Sequence, residues 1–346
     1  MIHFEYALVA YIPLAALFML DRNGARGFSL AYVIAMMILP CSSNPVTDAS
    51  LGVINLPAVP DLDKWNVPTI GVLLGTILFQ PQRFDRYRVS SLDFLLLAFM
   101  QFAFLTSYVN GFGSYDGLSQ ALKFFLNVCM IIFLARIHIG TPNGLRTFQL
   151  CLVGAAVCYV PFALYEFRFS PQIHTALYGY FQHVFQQHMR WGFFRPIVCF
   201  PHGLVLGRFF AFTAFLALFP LRVDLAKMLG PVGAFIFLVP LLGLAVSMSF
   251  GPYMIFGLLC MGWYVVQRYR WAYYVLPVLG FAWLLLFFVD VEIGFSGVHK
   301  FFGFSQERAE SLEYRLVALR EYKGPILARP IFGWGGWNSA HTGRAT

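Results

Sequence analysis

The chain has 346 residues, of which 59% are hydrophobic and 12% charged, with a formal net charge of +8 and a mean hydropathy of +0.68. A globular chain carries about 25% charged residues, so a soluble fold is excluded. Apolar runs long enough to cross a hydrocarbon core of about 30 Å recur throughout, and they lack the two-residue alternation of a barrel, which leaves an all-α, polytopic transmembrane helical bundle.

In chain order, the runs predict about ten spans: 4–20, 28–41, 67–80, 94–109, 121–134, 147–167, 204–219, 231–248, 253–266 and 272–290. The second, third and fifth are short for a span. Residues Met1-Ile2-His3-Phe4-Glu5 lack a basic n-region, and no small-residue cleavage site follows, so the first run is expected to be a span rather than a signal peptide. The six cysteines fall mostly inside apolar runs without paired spacing, as buried structural thiols do. No internal repeat of about 20–50 residues is visible. The organisation expected is a transmembrane domain over 1–290, containing an outward basic loop at 168–203, followed by a periplasmic segment at 291–346.

Short-loop charge orients the bundle. Arg22 and Arg26, Arg83, Arg86 and Arg88, Arg136 and Arg146, Arg222 and Lys227, and Arg268 and Arg270 fall on one side, while the opposite short loops offer Lys64 and Lys123. By the positive-inside rule the first side is cytoplasmic and the N-terminus faces outward. The net positive charge therefore reports topology before any ligand, and no nucleic-acid partner is expected. The remaining basic residues lie in two outward segments: Arg168, Arg190, Arg195 and Arg208, then Lys300, Arg308, Arg315, Arg320, Lys323, Arg329 and Arg344. Insertion rules do not call for them there.

The first outward segment also holds His174, His183, His188 and His202, and between Arg168 and Arg208 there is no Asp or Glu. Arginine's planar fork suits phosphate oxygens, so a polyanion site is one explanation. An interfacial belt of snorkelling arginines among Tyr178, Tyr180, Phe181, Trp191 and Phe193 is the other. Histidine spacing does not suit a metal: His183 and His188 are five apart and no carboxylate accompanies them, so neither a metal nor another cofactor is expected. Ser247-Met248-Ser249-Phe250-Gly251-Pro252-Tyr253 has the composition of a tight helix–helix turn.

In the last segment Arg308, Leu312, Arg315, Leu319 and Tyr322 fall on one helical stripe. Gly324-Pro325 ends the pattern, and Arg329-Pro330 leads into Gly333-Trp334-Gly335-Gly336-Trp337. Trp334 and Trp337 could stack on sugar rings or dip into the membrane interface.

Three motifs now stand in order: Arg195-Pro196 to Pro201-His202-Gly203; Ser249-Phe250-Gly251-Pro252; and Tyr314-Arg315 to Pro330-Ile331-Phe332-Gly333-Trp334-Gly335. Together with the spans, this order resembles the O-antigen ligase and O-antigen polymerase superfamily of bacterial envelope proteins, over most of residues 150–346. The resemblance implies a multi-pass protein of the bacterial inner membrane performing metal-independent, inverting glycosyl transfer on the periplasmic face. The implied donor is a glycan on undecaprenyl diphosphate, and the implied acceptor is a sugar hydroxyl on lipid A-core or on another repeat unit. Arg195 and Arg315 match the family's basic positions, where they would stabilise the leaving diphosphate. With them, His202 and His341 complete the catalytic candidates, and Arg168, Arg190, Arg208, Arg308, Trp334 and Trp337 are candidates for holding diphosphate and glycan. The chain differs from the family in having Phe250 where an arginine is common. Its His341 also lies closer to the glycine-rich motif, and no span follows before Thr346, as a truncated chain would appear. A transporter of a lipid-linked sugar or small anion is the alternative; against it, few charges lie within the spans.

Overall fold

The computed structural model describes residues 3–41, 62–183, 185–190, 192–269, 271, 274, 278, 321 and 324–334. Helices dominate them: α1 (Phe4–Phe18), α2 (Gly24–Ile38), α3 (Asn66–Phe79), α4 (Ser91–Val109), α5 (Gly113–Phe124), α6 (Met130–Ile139), α7 (Pro142–Phe169), α8 (Ile173–Tyr178), α9 (Gly203–Leu218), α10 (Arg222–Leu229), α11 (Leu238–Val246) and α12 (Phe250–Arg268). A two-residue hairpin, β1 (Met189–Arg190) with β2 (Phe193–Phe194), lies between α8 and α9. A π-turn at Phe125–Cys129 joins α5 to α6, so the fifth expected span is part of one helix from Gly113 to Ile139.

Among the described residues, four helices are long and apolar enough to cross a membrane: Ser91–Val109, Gly113–Ile139, Pro142–Phe169 and Phe250–Arg268. A fifth is added if Gly203–Leu218 and Arg222–Phe235, bent by 73°, form one span. The apolar helices over α1, α2 and α3 are shorter, as the run lengths predict for the second and third. The last expected span, 272–290, lies almost wholly outside the described residues.

The chain divides into two compact units, residues 1–100 with 121–261, and residues 101–120 with 262–346. The first is built around α1, α2 and α3, whose buried Leu8, Tyr11, Ala15, Met19, Phe28, Ala31, Val67 and Val72 form one cluster with Leu134 of α6. The close approach of α1 and α3 depends on two glycines one turn apart. A Cβ on Gly71 would lie 2.5 Å from the carbonyl oxygen of Ile12, and one on Gly75 2.5 Å from that of Ala16. This is the small-xxx-small contact by which membrane helices pack backbone to backbone, there being no hydrophobic force between helices in lipid. Gly75→Val is therefore expected to push α1 off α3 and destabilise the unit by about 1–3 kcal/mol. A lowered thermal unfolding midpoint of the detergent-solubilised chain would register it, and an unchanged midpoint would refute the packing argument.

Polar latches tie the helix ends together. At one end Gln80 Nε2 donates to the Met19 and Asp21 carbonyls at 2.5 and 2.7 Å, and Arg83 donates to the Arg22 carbonyl at 3.0 Å. Arg136 bonds Asp93 at 2.5 Å and the Arg88 carbonyl at 2.6 Å, while Arg146 pairs with Asp224. The basic short loops thus share one end of the unit. The opposite end, where α2 and α7 finish and α3 and α9 begin, holds the 170–202 loop.

Within the second unit Asn110 Nδ2 donates to the Gly333 carbonyl at 3.1 Å, and Phe102 packs against Phe332 at 6.0 Å. Trp334 Nε1 donates to the Pro325 carbonyl, and the Arg329 guanidinium lies 4.3 Å from the indole centroid.

Candidate functional site

The loop end is organised around the backbone from Arg195 to Gly203, most of it buried. Arg195 is set by the hairpin: its N–H donates to the His188 carbonyl at 2.7 Å, and the His188 ring returns a bond to the Arg195 carbonyl at 3.1 Å. Since a carbonyl only accepts, His188 carries its proton on Nδ1. Phe193 anchors the hairpin by stacking on Phe167 of α7 at 4.7 Å. Downstream, His202 caps α9, its Nδ1 accepting from the Leu204 amide at 2.9 Å. With Nδ1 accepting, the His202 ring carries its proton on Nε2.

The intervening residues are pinned atom by atom. Glu166, fully buried at the end of α7, accepts from the amides of Ile173 (3.0 Å), Ile197 (2.9 Å) and Val198 (2.7 Å). The Cys199 amide donates to the Tyr159 hydroxyl at 3.0 Å, and that hydroxyl donates to the Met37 carbonyl at 2.9 Å. Gln182 Nε2 donates to the carbonyls of Val198 (2.6 Å) and Phe200 (3.2 Å). Lys64 Nζ donates to the Cys199 carbonyl at 2.6 Å. Together these bonds hold Val198, a β-branched residue, at φ +50°, where such side chains rarely go. Buried backbone so clamped is how strained conformations persist.

The same end is closed by the segment following α2. Tyr178 donates to the Ile38 carbonyl at 2.5 Å, Tyr180 donates to that of Cys41, and the Cys41 thiol donates to the Cys199 carbonyl at 3.4 Å. Burial pushes the Cys199 thiol up to about 12, the Lys64 ammonium opposing it. His174 is held neutral, with Nδ1 donating to the Tyr180 carbonyl at 3.0 Å and Nε2 accepting from the Cys41 amide at 3.4 Å. Burial lowers its pKa from 6.5 to about 4. A group whose pKa is depressed on folding stabilises the fold above its unfolded value. That stability is lost as pH falls from about 6.5 to about 4, amounting to roughly 3 kcal/mol. Thermal unfolding across that window should show the decline, and His174→Gln should flatten the corresponding part of it; a His174→Gln profile parallel to wild type would exclude His174 as the source.

Three imidazoles gather beside Arg195. The rings of His183 and His202 are 4.4 Å apart, those of His183 and His188 5.2 Å, and those of His188 and His202 6.5 Å. The Arg195 side chain lies on Gly203, where an added Cβ would be 2.4 Å from Nε. No group of three His, Cys, Asp or Glu side chains among the described residues is arranged to hold a metal ion.

The Ser247–Pro252 turn packs on the first turns of α9. A Cβ on Gly207 would meet Pro252 Cγ at 2.7 Å and Ser247 Oγ at 3.0 Å. Ser247 and Ser249 spend their hydroxyls on the carbonyls of Leu244 (2.7 Å) and Ser247 (2.9 Å), and Met248 takes φ +49°. These serines are turn-makers, in keeping with the turn that the composition predicts. The first two sequence motifs are thus neighbours in space.

The chain matches no family model, and neither the curated proteins nor the solved structures yield a match.

Of the residues singled out in the sequence, Arg195 and His202 lie in the same pinned loop, Arg195 packing on Gly203, the residue after His202. Arg190 lies in the hairpin. Arg168 and Arg208 are exposed on α7 and α9, Arg208 bonding the Leu204 carbonyl at 3.3 Å. Trp334 has Arg329 against its ring, so that ring is in part covered. Arg308, Arg315, Trp337 and His341 lie outside the described residues. The acid-free appearance of the loop is corrected by the fold: Glu166, two residues before Arg168, is at its centre. Lys64, which reads as a topology residue, is buried against it. The only sequence signal for either was an ionisable residue close to an apolar run. At the opposite end a cleft of ≈ 270 Å³ is lined by Leu96, Phe125, Met130 and Phe133 around Tyr87 and Asp93. Asp93 there is engaged by Arg136 and Tyr87, so the cleft offers a ligand little charge.

Proposed function

We propose that the chain is a membrane glycosyltransferase of envelope or exopolysaccharide assembly, taking a glycan from undecaprenyl diphosphate at the end that carries Arg195. The observation that carries this reading is the placement of Arg195, packed on Gly203, and His202, the cap of the same helix, in one pinned loop beside the Ser247–Pro252 turn. They stand opposite the end where the basic short loops gather. In a bacterial inner membrane crossed by about ten spans, the positive-inside rule gives that end the periplasmic side.

The chemistry is a single displacement. The acceptor oxygen bonds to the anomeric carbon, the bond from that carbon to the phosphate oxygen breaks, and the electron pair departs on undecaprenyl diphosphate. Charge grows on the diphosphate, and the Arg195 fork is the group that meets it. At 2% exposure Arg195 is withdrawn from water, where a fixed charge acts most strongly, so the donor must displace part of its cover. Lipid A-core or a second glycan supplies the hydroxyl, and its proton passes to water.

The test uses the purified full chain in nanodiscs with an undecaprenyl-diphosphate-linked glycan and a glycan acceptor, chelator present. Extended product and free undecaprenyl diphosphate in equal amounts are expected. Absence of product, together with uptake of the lipid-linked sugar or a small anion into proteoliposomes, would replace transfer with transport.

A further inference from the structure

We infer that Glu166 is an internal anion that holds the Ile197–Val198 peptide in its strained form and thereby positions Arg195 and His202. As a statement about catalysis, this rests on the transfer reading above.

Three backbone N–H groups converge on one buried carboxylate, two of them from consecutive residues. No side-chain cation is needed to account for its placement, because the amides themselves form an anion-sized nest. A carboxylate accepts at both oxygens, and bonds from N–H groups to an ionised acceptor are among the stronger ones in proteins. Val198 takes φ +50° between its clamped amide and its own carbonyl. Valine would leave that region if its amide and carbonyl were released, and both are held, the amide by Glu166 and the carbonyl by Gln182. Val198 lies three residues after Arg195 and four before His202, so a relaxation there rotates the peptides that carry both. Glu166 and Gln182 approach the segment from different elements, which makes the clamp a property of the assembled loop end.

Glutamine is the discriminating substitution. Glu166→Gln preserves volume but offers one acceptor oxygen, so its NH₂ must oppose either the Ile173 amide or the Ile197–Val198 pair. Glycine at 198 adopts positive φ without cost, so Val198→Gly should remove the need for the clamp. Two readouts are taken on the full chain in native membranes: transfer activity, and modification of Cys199 by a membrane-impermeant maleimide, located by peptide mass spectrometry. Cys199 is buried inside the clamped segment and reports the loop without reference to chemistry.

In Glu166→Gln, Cys199 should label about tenfold faster or more, and transfer should fall about 100-fold through misplacement of Arg195. Glu166→Gln/Val198→Gly should recover both. Unchanged protection of Cys199 in Glu166→Gln overturns the inference, as does a double variant no better than the single one. If Glu166→Gln fails to accumulate, accumulation of the double variant with Cys199 protected upholds the inference, and its failure to accumulate overturns it. Absence of transfer by the wild-type chain rejects the glycosyltransferase reading, and full transfer by Arg195→Ala rejects the role of Arg195; in either case the Cys199 labelling pattern still decides the role of Glu166.

Discussion

Arg195→Lys is expected to lose nearly as much transfer as Arg195→Ala, each falling about 100- to 1,000-fold, the range for removing one fixed group that meets developing transition-state charge. Lysine keeps the charge and is therefore the informative variant. Its ammonium is a single, strongly hydrated point, whereas the guanidinium presents a planar fork that matches two phosphate oxygens at once. The geometry adds a second reason. Arg195 runs along Gly203, with Cγ, Cδ and Nε all within 3.0 Å of where a Cβ would be, so its path through the loop is defined by backbone on one side. A lysine following that path ends in one nitrogen at a different position. Initial rates at saturating donor, with membrane levels and thermal midpoints measured in parallel, check the prediction. Retention of more than about a tenth of wild-type rate by the lysine variant would mean that charge alone suffices and the bidentate argument fails.

Gly203→Ala changes no charge and removes no polar group, yet it should cost transfer about 100-fold, the scale on which misplacing a reacting group by an ångström acts. The new methyl carbon would lie 2.4 Å from Arg195 Nε and 2.9 Å from Cδ, and one partner has to move. Gly203 begins α9 directly after the His202 cap, so the helix backbone is the less yielding of the two. The Arg195 side chain is displaced instead. Stability should change far less than activity, because alanine is a better helix former than glycine. Gly154→Ala in α7 is the control, since nothing lies within 4 Å of its Cβ position; it should behave as wild type in both assays. Wild-type transfer by Gly203→Ala would show that the Arg195 position seen here is not the working one.

The site was legible in part, and the division follows chain distance. Arg195 and His202 announce themselves because they occur together in a short run rich in proline and glycine, on the side where topology does not explain basic charge. The Gly71-x-x-x-Gly75 pair takes its meaning from the structure, where the approach of Ile12 and Ala16 shows which helix it admits. Glu166 and Lys64 were passed over for opposite reasons: one looks like a charge at a span end, the other like a short-loop cation. Each gains its role from a partner far away in the chain, Glu166 from amides 31 and 32 residues on and Lys64 from a carbonyl 135 residues on.

The sequence alone determined that the chain is helical and apolar enough for a membrane, and where most helices run, because burial in lipid demands long apolar stretches whose backbone bonds are internal. It also marked the loop in which positive charge is concentrated. Only the tertiary structure decided which groups neutralise, clamp and orient that loop. Hydrogen bonds from side chains to distant backbone leave no periodic trace in the chain; they exist once α2, α3, α7 and the hairpin bring their ends to one place.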